Sequence, residues 1–423
     1  MYVLVCMYVC MYDVCMYEQV MFHARRSLEW LRVRGSGGEQ RRLVAILTLK
    51  ELARSTPIFR NTYMRSFLEH VWDALRDPRE EIREVAVQAL GPCFIDLAKR
   101  SPDPSLNTPY FQSLYADTKK GLKVKMSNVA SLHGSLLMIG ELLTHCNTFM
   151  LPRFQEVTDI IVRYRHHNHV LIARQCLELL PKLAALCPQQ FIDLYSRDAL
   201  EHLITQTEHQ STRIQAAAFL ALGETSLAMK HAMLPYSERV LATFRKGLQA
   251  PFRKIGAAHA MSLTSTRDMP TPHACLACIG MLAASLGEAL CGRETQGYDG
   301  RMHELVDQMF SMGLSPTLID ALVDICRHIP SLVVMIQERL LEMLASMVSA
   351  PLADYLLRTQ GSQNLHISSI SSAKGGSSGS GNNSRNRGST GGNSSSNNSN
   401  LRYHDYNHNV NSNNYYNPQG SQG

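Results

Sequence analysis

The sequence predicts an all-α fold, an armadillo-like solenoid of stacked helical hairpins. Three observations predict it. Apolar residues recur at helical spacing through most of the chain, a small residue returns at a near-regular interval, and no segment alternates apolar and polar residues for long between turn signals. At 423 residues the chain has room for two or three ordinary domains or for one elongated array. The recurrence selects the array.

The most informative stretch is WDALRDPREEIREVAVQALG, Trp72 to Gly91. Phe67, Leu68, Val71, Trp72 and Leu75 line one helical face before the break, and Ile82, Val85, Ala86, Ala89 and Leu90 line another after it. Asp77 is placed to accept a bond from the free N–H groups of the second helix. Pro78 suits its first position, and Glu80 and Glu81 complement its positive dipole end. Gly91 before Pro92 is expected to end or kink that helix. A hairpin with apolar faces open on both sides needs neighbours of its own kind.

With Ala86 as anchor, equivalent small residues fall at Ala45, Gly134, Ala173, Ala218, Ala277 and Ala321, at successive spacings of 41, 48, 39, 45, 59 and 44 residues. Ile82, Ala86, Leu90 and Gly91 superpose on Ile214, Ala218, Leu222 and Gly223, and Arg83 on Arg42. A small residue there lets the second helix approach its neighbour, while Leu90 and its equivalents fill the space between layers. The period is that of HEAT-type hairpins. The long interval carries PFRKIGAAHAMSLTSTRDMPTP, expected to be an inserted loop or extra helix.

The array is therefore assigned to residues 23–360, flanked by two segments of other character. Residues 1–22 repeat Met-Tyr-Val-Cys with a period of four, the cycle that a repeated ATGT encodes, and are expected to be unstructured or an artefact of a translated repeat. Asp13 and Glu18 interrupt their apolar run and argue against both a secretory signal and a membrane span. Residues 361–423 are Gly/Ser/Asn-rich, bury too little apolar surface to offset chain entropy, and are expected to be disordered.

The formal net charge is +6, of which the tail holds +3 and the first 22 residues −2, leaving +5 on the array. So dilute a charge is too weak to argue for nucleic acid or an anionic membrane surface as a partner. The densest basic run, RYRHHNH from Arg163 to His169, reads as a solvated loop between helices. His166, His167 and His169 lack a cysteine or carboxylate at metal-ligand spacing. Cys275 and Cys278 form a CxxC that continues an apolar helix with no second pair, so they read as small buried hydrophobes in a reducing compartment. Gly35-Ser36-Gly37-Gly38 has no strand before it and no lysine after it, as a phosphate loop requires. Glu80 and Glu81 are helix-capping carboxylates rather than an acid–base pair. The sequence thus assigns no catalytic, cofactor-binding or metal-binding residue.

RRSLEWL (25–31), LKELA (49–53), WDALRDPREEIREVAVQAL (72–90), LHGSLLMIGELL (132–143), LELLPKLAALCP (177–188), FLALG (219–223) and GLSPTLIDALVDICRHIP (313–330) together resemble the N-terminal HEAT solenoid of the TOR (target of rapamycin) serine/threonine protein kinases, members of the phosphatidylinositol-3-kinase-related kinases. The similarity is collinear from about Arg25 to Leu352. It implies an arm of a kinase that couples nutrient and growth-factor signals to protein synthesis, growth and restraint of autophagy. That arm docks partner subunits, a Raptor-like scaffold among them, and helps the TOR complex dimerise. It implies a cytoplasmic location, with lysosomal-surface or nuclear association through partners. In that family the catalytic and rapamycin-binding domains lie far C-terminal, so ATP and magnesium belong to a kinase domain expected outside this fragment, and no catalytic residue carries over. The competing expectation is a freestanding HEAT adaptor, such as a transport carrier or phosphatase scaffold.

Overall fold

The computed structural model describes residues 2–33, 35, 37–100, 104–123, 128–249, 269–291 and 301–349, with the backbone alone for 2–16, 100 and 104–108. The 361–423 tail and most of the long insertion, 250–268, lie outside the described residues.

Among the described residues the fold is helical throughout, with no strand. The helices alternate between two layers. One layer holds α1 (Tyr2–Leu31), α4 (Met64–Leu75), α6 (Pro104–Lys123), α9 (Phe154–Tyr164), α12 (Ser196–Gln206), α14 (Ser237–Leu248) and α16 (Arg301–Ser311). The other holds their hairpin partners α2 (Gly38–Ser55), α5 (Glu80–Arg100), α7 (Val129–His145), α10 (Val170–Leu186), α13 (Thr212–Met229), α15 (Thr271–Leu286) and α17 (Pro316–His328). Three short helices, α3 (Pro57–Thr62), α8 (Asn147–Met150) and α11 (Pro188–Leu194), form corners, and a last helix α18 spans 333–349. In the second layer each helix packs on the next, α2 on α5, then α7, α10, α13, α15 and α17.

The layers differ as their sequences require. In α9, Phe154, Val157, Ile161 and Tyr164 are buried along one stripe while Gln155, Asp159 and Arg163 stay in water, the pattern of a helix covered on one side. In α7 every residue from Ser131 to Gly140 is buried, because α4, α5, α6 and α10 all close on it. Such a helix must carry small residues wherever backbones meet. A Cβ on Gly134 would stand 1.8 Å from the Leu75 carbonyl oxygen.

The anchors predicted from sequence fall one on each second-layer helix. Ala45, Ala86, Gly134, Ala173, Ala218 and Ala321 are buried. Ala277 is half-buried, and the close approach in α15 is made by its neighbour Cys278, whose Cα lies 3.1 Å from where a Gly223 Cβ would be. The anchor in that repeat is thus one residue out of register, since two adjacent small residues satisfy a sequence pattern equally. The superposition of Gly91 on Gly223 holds, as both face the next second-layer helix: a Cβ on Gly91 would meet His145 at 3.2 Å.

Of the two outcomes expected at Gly91, an end or a kink, the end is excluded, for α5 continues through Pro92 to Arg100. α1 runs without a break from Tyr2 to Leu31, through the segment expected to be unstructured or an artefact. No proline or glycine interrupts that run, and once Val20, Ala24, Leu28 and Leu31 are packed, extending the helix costs little compared with starting one.

Candidate protein-docking surface

The turn at Asp77 carries a buried polar cluster. The Asp77 carboxylate, fully buried, accepts from Arg42 Nε at 2.5 Å and from the Arg79 backbone N–H at 2.9 Å. Arg83, also buried, donates to the carbonyls of Asp77 (2.6 Å) and Pro78 (2.9 Å) and, through Nε, to His133 Nδ1 at 3.0 Å. His133 must therefore carry its ring proton on Nε2. Burial lowers the Arg83 pKa, against the opposing pull of Glu80 and Asp77. Asp77 and Arg83 together thus join the second-layer helices of three consecutive repeats, Asp77 holding Arg42 of α2 and Arg83 of α5 reaching His133 of α7. The match of Arg83 to Arg42 was legible in the sequence, whereas His133, fifty residues on, was not.

The first layer spends its exposed charges on itself. Glu201 of α12 takes both Arg239 Nη atoms of α14, at 2.7 and 3.0 Å. Glu238 and Arg245 of α14 meet Arg301 (2.6 Å) and Glu304 (2.9 Å) of α16, and Asp307 of α16 meets Arg339 of α18 at 2.9 Å. Each exposed pair contributes about 0–1 kcal/mol, so their effect lies in fixing how neighbouring hairpins align. Clefts among the described residues open along this layer. One of about 550 Å³ lies between α4 and α6, lined by Leu68, Leu114, Pro109, Tyr110, Arg65 and Glu69. Another, of about 510 Å³, lies between α16 and α18 beside Phe310 and Met343.

Both layers show water apolar side chains: Tyr17 and Phe22 on α1, Tyr110 on α6 and Val162 on α9 in the first, and in the second Ile95 on α5, Val44 and Leu47 on α2, Leu227 on α13, and Ile319 and Val323 on α17. Spacings of three and four residues put the α2 pair and the α17 pair each on one stripe of its helix. On α18, Leu341, Leu344, Met347 and Val348 are also exposed.

The histidine run and the CxxC serve the fold. His169 caps α10, accepting from the Leu171 N–H at 3.3 Å, His167 accepts from the His169 N–H at 3.0 Å, and Arg165 donates to His166 at 3.0 Å. The His166 ring meets His202 edge-on at 5.0 Å. His202 is buried, and burial, with His166 and Arg165 nearby, lowers its pKa to about 4. Cys275 and Cys278 are buried in α15, and desolvation pushes both thiols well up, away from the reactive thiolate. With its 3-10 extension this helix, Thr271–Cys291, is the one stretch among the described residues long and apolar enough to cross a membrane. It is packed between α13 and α17, which explains its composition as that of a core helix. Gly35 to Gly38 joins two helices, and no group of three His, Cys, Asp or Glu side chains among the described residues could hold a metal ion.

No protein-family model matches the chain. The serine/threonine-protein kinases TOR of Arabidopsis thaliana and of Oryza sativa subsp. japonica are each 32% identical to it, over 78% and 77% of its length. The kinase tor1 of Schizosaccharomyces pombe is 31% identical over 84%. By sequence, the chain is a relative of the TOR kinases. It spans 12% of the length of each plant relative and 14% of the fission-yeast one. Among solved structures, the karyopherin Kap121p aligns with 74% of this TOR relative and 34% of its own chain, at a TM-score of 0.48 and 13% identity, a likeness too loose to bear on function. The resemblance in sequence and the two-layer stack agree on a HEAT-repeat solenoid.

Proposed function

We propose that this TOR relative is a protein-docking arm, which binds a Raptor-like scaffold subunit and a second TOR chain in a cytoplasmic nutrient- and growth-signalling complex, while phosphoryl transfer belongs to a kinase domain beyond these residues. One observation carries the reading: in a segment related to TOR kinases, the second layer leaves Leu227 of α13 and, two repeats on, Ile319 and Val323 of α17 exposed. Stacked hairpins offer such a face as one continuous surface, and apolar side chains on it are what a partner would desolvate. A stable complex should bury at least about 1,000 Å² in total. The test is a pull-down of the scaffold subunit by the full chain at micromolar concentration, beside a variant with Ile319→Glu and Val323→Glu. Both positions face solvent, so circular dichroism should show equal helicity. Retention by the wild type and loss by the variant is the expected result. Equal retention moves docking away from this face, and no retention by the folded wild type ends the reading.

A further inference from the structure

Three second-layer helices two and three hairpins apart meet at one carboxylate. Glu80, in the first turn of α5, has Oε1 3.8 Å from Arg174 Nη1 of α10 and Oε2 3.9 Å from Arg213 Nη1 of α13. Both distances are too long for hydrogen bonds. Arg174 is about 95% buried in its side chain, its Nε donates to Glu178 at 3.0 Å, and its Nη2 has no acceptor among the described residues. A guanidinium that is buried, charged and short of an acceptor is costly unless something completes it. The neighbouring end of α13 points the same way. Its N-cap, Ser211, makes no side-chain capping bond and its first turn holds no acidic residue, so the positive end of an 18-residue helix stands beside Arg213 without local compensation.

We propose that Arg174 and Arg213, with the N-terminus of α13, form a binding site for an oxyanion, and that Glu80 is its weak internal occupant. A planar fork such as Arg174 Nη1 and Nη2 suits two oxygens of one phosphate or carboxylate group, which the single misaligned Glu80 does not supply. Glu80 is a poor counter-ion for a further reason: its own burial first, and Glu84 second, raise its pKa in spite of the three arginines around it. An entering oxyanion displaces the Glu80 side chain toward solvent, where it is already partly exposed. The site uses none of the exposed apolar residues of the docking face and is independent of the TOR reading.

The test titrates the full chain at fixed ionic strength with two probes, inorganic phosphate and a hexaglutamate peptide, following binding by calorimetry and the melting temperature in parallel. Glu80→Gln removes the internal competitor and should tighten binding of the effective probe about tenfold, and Arg213→Gln, on an exposed side chain, should weaken it about tenfold. Arg174→Met should abolish binding, but it changes a buried charge, so the two milder variants decide. A response to phosphate assigns the site to phosphate groups, and a response to hexaglutamate alone assigns it to carboxylates of a partner. If neither probe binds, or if Glu80→Gln and Arg213→Gln leave its affinity unchanged, the site does not exist.

Discussion

Gly134→Ala adds one methyl group at the tightest contact in the stack. The new Cβ would lie 1.8 Å from the Leu75 carbonyl oxygen and 2.8 Å from its carbonyl carbon. Ordinary contact requires about 3.2 Å or more between such atoms, so α7 must move from the end of α4 by more than about 1 Å. Neither atom belongs to a side chain that could rotate away. Overpacking of a close-packed interior costs about 1–3 kcal/mol and more when backbone must shift, while exchanging glycine for alanine in a helix returns about 1 kcal/mol. The net expectation is a loss of about 2 kcal/mol or more. The matched control is Gly91→Ala, whose Cβ would meet only the His145 and Glu141 side chains, at 3.2 and 3.5 Å. Those side chains can turn, so the helix-propensity gain should leave that variant near neutral. Urea unfolding followed by circular dichroism compares the two, and hydrogen exchange locates the damage. Loss of protection should concentrate in α4, α5 and α7, since a repeat contacts chiefly its neighbours. Equal stability of the two variants, or a uniform loss of protection through α17, would refute the reasoning.

Two further outcomes follow from the buried polar groups. Asp77→Asn keeps the turn acceptor but removes the charge opposite Arg42, and should destabilise by about 3–5 kcal/mol, whereas the double variant with Arg42→Met should recover much of that loss; a double variant no better than the single one would show that the pair is not coupled. His202 sets an acid sensitivity: its pKa is about 4 folded and near 6.5 unfolded, so below pH 6.5 the unfolded chain binds the extra proton, and stability present above that pH is lost as pH falls toward 4. The loss is on the order of 3 kcal/mol, and His202→Phe should flatten the dependence of the urea midpoint between pH 7 and 4.5; an unchanged slope would assign the acid sensitivity to other groups.

How much was legible in the sequence depended on the range of the interaction. Helix type, the hairpin at Asp77 and the small-residue anchors were legible because each rests on spacing within one helix or turn, and the Asp77 bond to the Arg79 N–H lies where turn chemistry puts it. Ala277 missed by one residue because Ala277 and Cys278 are both small and only packing distinguishes them. Whether α5 ends or only kinks at Gly91 and Pro92 was left open by the sequence because local propensity there opposes the helix, while burial of Ala89, Leu90, Cys93 and Phe94 on both sides of that point favours it. The contacts of Arg83 with His133 and of Glu80 with Arg174 and Arg213 span 50 to over 130 residues, and no local rule predicts which distant partner a charge will meet.

The two layers divide the work of the solenoid. In the first, ion pairs between exposed side chains align one hairpin with the next, and each can break and reform at little cost because water replaces it. In the second, alignment depends on buried groups without that substitute: Asp77 is shared by Arg42 and Arg83, and Gly134, Gly223 and Gly280 sit where an adjacent backbone or side chain leaves little space. A partner that bends the array should therefore do so by rearranging first-layer pairs such as Glu201 with Arg239, while the second layer holds its spacing. The exposed apolar side chains of α13 and α17 belong to that stiffer layer, so the proposed docking face should keep its pattern while the opposite side adjusts. This arrangement suits a surface that must present Leu227, Ile319 and Val323 together, because side chains fixed relative to one another lose less freedom when a partner covers them.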